Sequence, residues 1–120
     1  MEDLEELADL LTGAYALTSK LLGLLPIPIN LPSLHETGGL NGAQALERAR
    51  QAMHDLPLDF HVVAVLDDMI FQWLIGHDLC ALAVSISPDP HRLHGLRKAL
   101  IRFSELSERA ENLLTPPDHE

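Results

Sequence analysis

Apolar residues return every three or four positions along the opening of this chain, as Leu4, Leu7, Leu11, Ala14, Leu21 and Leu25, with Thr18 alone interrupting the series. That period puts one continuous apolar seam on an α-helix and cannot be accommodated by a strand, whose faces alternate every second residue. Two further columns flank the seam. Leu10, Leu17 and Leu24 line one side, while Ala8, Tyr15 and Leu22 line the other, so the apolar face is wider than a two-stranded pairing requires and the helix is expected to touch more than one neighbour. Asp3, Glu5, Glu6 and Asp9 crowd its first turns, where carboxylates sit favourably at the positive end of the helix dipole.

The same period recurs to the end of the chain. Pro26 and Pro28 stop the first helix, and residues Pro26 to Asn41 form a stretch rich in proline and glycine that is incompatible with regular structure. Ile27, Ile29, Leu31 and Leu34 within it still call for burial, so it is expected to pack along the bundle as an ordered crossover. Asn41 followed by Gln44 reads as a capping box that opens a second helix through Ala45, Leu46, Ala49, Met53 and Leu56, closed by Pro57. A third helix starts near Asp59. It is apolar on most sides, through Phe60, Val63, Leu66, Ile70, Trp73 and Leu74, which marks it as the central element, with Gly76 a point where it can kink or split. Asp89 and Pro90 supply a cap and first position for a last helix carrying Leu93, Leu96, Leu100, Phe103, Ala110 and Leu114. The expected fold is all-α, a four-helix bundle-like single domain over residues 1–115 with an acidic tail at 116–120.

Charge and cysteine content narrow the function classes. A formal net charge of −10 argues against direct nucleic-acid binding, where affinity comes from Lys and Arg neutralising phosphates, and it admits a basic partner. The apolar run from Phe60 to Ile86 is broken by Asp67, Asp68, Gln72, His77 and Asp78, too costly in lipid for a membrane span. The acidic N-terminus lacks the positive charge of a targeting segment, and the lone Cys80 has no partner for a disulfide, so a cytoplasmic location is expected. No Gly-rich phosphate loop, nucleophile elbow or activated cysteine is present, and no cofactor is called for.

Several polar residues merit placement in three dimensions. Asp67, Asp68, His77 and Asp78 on the third helix are candidate ligands for a divalent metal, but the paired Glu-x-x-His motif of bundle metal sites is absent, and ordinary pairing with water or arginine is the simpler expectation. In that simpler case His77 bonds a backbone carbonyl freed near Gly76. His91 and His94 lie one helical turn apart. The pairs His54-Asp55 and His77-Asp78 resemble the dipeptide for which a class of metal-dependent phosphohydrolases is named, although the remaining histidines of such a site cannot be placed in order. The stretch from His35 to Gly39 is the most loop-like polar segment.

The segment Glu5-Glu6-Leu7-Ala8-Asp9-Leu10-Leu11 resembles the acidic helix of the all-α nucleotide pyrophosphohydrolases. The resemblance implies a hydrolase in which carboxylates on neighbouring helices hold magnesium against a triphosphate. That pattern needs a further acidic helix, which Asp67 and Asp68 supply only through a rearranged topology. An acidic mimic of nucleic acid is another alternative, resting on the absence of Lys and Arg between Arg50 and Arg92 and requiring one continuous surface of carboxylates.

The width of the first helix's apolar face and the lack of catalytic signatures favour protein association: a small adaptor, regulator or inhibitor, self-associating as a homodimer. The expected contacts are Leu10, Tyr15, Leu17 and Leu24, with the basic face of the last helix, including Arg97 and Arg102, as a second surface.

Overall fold

A computed structural model describes residues 2–115, with side chains described for residues 4–33 and 41–115. The proposed tail at 116–120 lies outside the described residues. Four helices, α1 (Glu2–Gly23), α2 (Leu34–Met53), α3 (Phe60–Ser85) and α4 (Pro90–Leu114), account for the regular structure, with no strand among the described residues. The fold is all-α and bundle-like.

Helix α3 is the shared element, packing against each of the other three. A short link, residues 54–59, turns the chain from α2 into α3, and Asp59 begins α3 by accepting backbone N–H bonds from His61 at 2.8 Å and Val62 at 3.3 Å. Gly76, in the C-terminal half of α3, lies against Leu11 of α1 and Leu96 of α4, whereas Leu58 and Val62 at the other end line one cleft with Leu24 and Leu113. Both α1 and α4 therefore run antiparallel to α3 and parallel to one another. That arrangement obliges the chain to travel back along α1 before α2 starts, and residues 24–33 do so. Ile29 N–H donates to Leu22 O at 3.1 Å, the Tyr15 hydroxyl donates to Pro32 O at 2.6 Å, and Ile29 and Leu31 pack on the core.

The crossover is shorter than the sequence suggests. Helix α2 begins at Leu34, so Asn41 lies inside it rather than capping it, and the backbone from His35 to Gly39 is helical rather than a loop. The side chains of 34–40, including that of Leu34, lie outside the described residues. Ile27 is exposed, contrary to the burial expected of it. Asp89 stands at the start of α4, but its carboxylate accepts from Ser87 Oγ and from Arg92 at 3.1 Å, not from a backbone amide.

Helix α3 passes through Gly76 unbroken. A Cβ there would come within 3.2 Å of Leu11 Cδ1 and of Leu96 Cδ1, so the missing side chain lets three helices converge. Around that point, Leu11, Leu21, Leu22, Leu46, Leu66 and Trp73 belong to one core, and the Trp73 indole N–H donates to Leu11 O at 2.8 Å. Thr18, the break in the first seam, is fully buried, and its hydroxyl donates to Ala14 O at 2.9 Å.

Candidate protein-interaction surface

The two columns flanking the seam of α1 have different fates. Tyr15 and Leu22 are covered by the crossover and by α3, where Tyr15 packs its ring 5.7 Å from that of Trp73. Tyr15 thus belongs to the core, and its expected role as an interface contact is corrected: a residue one step round the helix from the seam was enclosed by the returning chain. Burial also raises the Tyr15 phenol above its ordinary pKa.

The opposite column stays open. Leu10 is 59% exposed, Leu17 is half-buried against the core, and Leu24 is exposed at the far end beside Leu113. Because α1 and α4 run parallel with α3 behind them, a groove of about 620 Å³ opens between their outer faces. Its walls are Leu10 and Leu17 on α1 and Leu100 and Ile101 on α4, with Ile101 60% exposed. Between the walls lie Gly13 and Ser104. A Cβ on Gly13 would meet nothing within 4 Å, which makes a hole beside two protruding apolar side chains. Glu6, Asp9 and Arg97 rim the N-terminal end of α1. Arg102 does not line this groove. It turns toward α3, where it approaches Asp68 at 3.7 Å, and pairs along its own helix with Glu105 at 3.3 Å.

Leu100 belongs to the apolar series of the last helix, but Ile101 and Gly13 are not picked out by periodicity. The adjacent pair Leu100-Ile101 carried the signal, since two consecutive apolar residues on a helix cannot share one seam and one of them must point elsewhere.

The polar candidates are dispersed. Asp67 accepts from Arg50 of α2 at 3.3 Å and lies 3.3 Å from His54 Nε2, whereas Asp68 faces α4. Bonding to Glu47, with further help from Asp67, raises the pKa of the Arg50 guanidinium. His77 stacks on Trp73 with ring centroids 5.2 Å apart. Helix α3 is unbroken at Gly76, and Nδ1 of His77, 3.5 Å from Asp78 Oδ1, makes no hydrogen bond. Among the described residues no group of three or more His, Cys, Asp or Glu side chains is placed to hold a metal ion. Beside Glu6 and Asp9, where the pyrophosphohydrolase resemblance asks for a carboxylate on a neighbouring helix, stands Arg97. The continuous acidic surface a nucleic-acid mimic requires is interrupted, because Asp67 and Asp68 are met by arginines on different helices. Burial raises the Cys80 thiol above its ordinary pKa, which keeps it protonated and unreactive.

No helix among the described residues is long and apolar enough to cross a membrane. Against protein-family models, curated proteins and solved structures, the chain has no match.

Proposed function

We propose that this chain is a small acidic protein–protein interaction module, an adaptor, regulator or inhibitor, that self-associates through the α1/α4 groove. The observation that carries this reading is the groove itself, in which Leu10 and Ile101 protrude beside the hole at Gly13. A twofold interface requires one patch to be complementary to itself, and exposed Leu10 and Ile101 beside the open space at Gly13 supply both the projections and the space to receive them. A twofold axis along the groove sets α1 of each copy over α4 of the other, with Glu6 and Asp9 brought over Arg97. The lone, half-buried Cys80 suits a cytoplasmic setting, and the reading calls for no cofactor.

Light scattering tests it. The chain is expected to have twice its 13.2 kDa mass in solution. Leu10→Glu is expected to give a monomer with unchanged helicity by circular dichroism, because Leu10 contributes little to the core. Leu17 is a poorer probe, since it packs on the core and its replacement disturbs folding as well. A wild-type monomer at all concentrations contradicts the reading.

A further inference from the structure

Helix α2 is held differently from the other three. Helices α1, α3 and α4 each pack against the other two, whereas α2 makes its substantial contact with α3 alone. Among its described side chains the buried stripe is Gly42, Ala45, Leu46, Ala49 and Met53, in which only Leu46 and Met53 are larger than alanine. Stabilisation by burial grows with the apolar area removed from water, so this stripe anchors its helix less firmly than the leucines and Tyr15 anchor α1, or Leu96, Phe103 and Leu106 anchor α4. Gly38, Gly39 and Gly42 weaken the helix itself relative to alanine. Its ionic tie is modest as well: Arg50 and His54 both approach Asp67 of α3 at 3.3 Å, on partly exposed groups where water competes.

The chain is pinned on either side of α2. Before it, the Tyr15 hydroxyl holds Pro32 O at 2.6 Å; after it, Leu58 packs on the core and Asp59 accepts the first amides of α3. Between α2 and the second pin, His54, Asp55 and Pro57 are exposed. Helix α2 is therefore joined, through two pinned connections, to a scaffold of α1, α3 and α4 whose mutual packing does not pass through it. We infer that α2 is a hinged lid: it lifts from α3 as a unit while the other three helices stay assembled, and it uncovers the α3 stripe Val63, Ile70 and Leu74. These three follow one another at helical spacing on the side that carries Asp67, to which Arg50 of α2 reaches, and Val63 and Ile70 are buried when the lid is down. Elements with few large buried side chains open at lower free energy than the whole molecule. The lid is independent of the α1/α4 groove, which α2 does not line.

Native-state hydrogen exchange on the full chain, followed by mass spectrometry as urea is raised, tests this. The amides of residues 41–53 are expected to exchange at least about tenfold faster than the slowest amides of α1, α3 and α4, and with little dependence on urea. Two exposed substitutions separate a lid from general weakness. Lys98→Gly lowers the stability of the scaffold but affects closed and lid-open molecules equally, so it is expected to speed the slowest amides of α1, α3 and α4 about threefold and leave those of α2 unchanged. Gln44→Gly weakens α2 itself and is expected to speed its amides about threefold. The inference is overturned if all four helices share one rate and one urea slope, which marks a single cooperative unit, or if Lys98→Gly speeds α2 as much as the rest. Absence of protection in α2 would overturn it too, since a helix that is never docked closes over nothing.

Discussion

Trp73 ties two helices together through one hydrogen bond and one ring contact: its indole N–H reaches Leu11 O at 2.8 Å, and its ring lies 5.7 Å from that of Tyr15. Trp73→Phe removes the bond and leaves unfilled volume in the core, so it is expected to cost about 2 kcal/mol, read as a shift in the urea midpoint. Tyr15 and Cys80 make the stability fall in alkali. Burial raises both above their ordinary values of 10.0 and 9.0, so the unfolded chain surrenders these protons first as pH rises. Their contribution is complete below pH 9 and is lost as pH climbs through the raised values. In Tyr15→Phe combined with Cys80→Ala, the fall in melting temperature above pH 9 is expected to be shallower than in the wild type. At this scale the sequence identified the residues better than their surroundings. Thr18 was visible as a polar break in the seam, but its acceptor, the carbonyl one turn back, appears only in three dimensions. Tyr15 looked like a surface contact because the segment that covers it, with Pro32 accepting its hydroxyl, arrives from seventeen residues away.

Local signals located α1, α3 and α4 well: the seams mark all three, Asp59 caps α3, and Pro90 opens α4 although the Asp89 carboxylate caps no backbone amide. Helix α2 starts earlier, at Leu34, than the Asn41 capping-box pattern predicts. The pair Gly38-Gly39 reads as a breaker, whereas Ser33 followed three residues on by Glu36 is itself a capping-box pattern and agrees with the observed start at Leu34. Each glycine inside a helix costs about 1 kcal/mol relative to Ala, a penalty that tertiary packing can offset. Gly76 was similarly ambiguous. Its flexibility suggested a kink, but its function is close approach, since Leu11 and Leu96 occupy the space a side chain would need. Gly76→Val is accordingly expected to destabilise the fold by about 2 kcal/mol through overpacking, despite removing a glycine from a helix. Thermal unfolding checks this, and a rise in melting temperature would contradict the packing at that crossing. The open α1/α4 groove was half legible. The column Leu10, Leu17, Leu24 could be read from spacing, whereas its partner wall on α4 depends on α1 and α4 running parallel, which follows from the crossover and not from either helix.

Taken whole, the molecule resolves a tension between composition and topology. Three helices share α3 as a common neighbour, so their apolar faces are satisfied in one core, yet the arrangement leaves apolar residues uncovered between α1 and α4 and along the outer side of α3. A net charge of −10 keeps such surfaces from indiscriminate contact, because copies repel at long range until apolar burial takes over. Salt screens that repulsion within about 10 Å at 0.1 M, so self-association through the groove is expected to persist or strengthen as salt is raised. The groove is tested most directly by sedimentation velocity on wild type and Gly13→Phe across a range of concentrations. The phenyl ring projects from a position where a Cβ meets nothing, so it fills the groove without disturbing the core. A wild-type dimer and a folded Gly13→Phe monomer are the predicted result; a dimer unaffected by Gly13→Phe would contradict the account and place the association on another face.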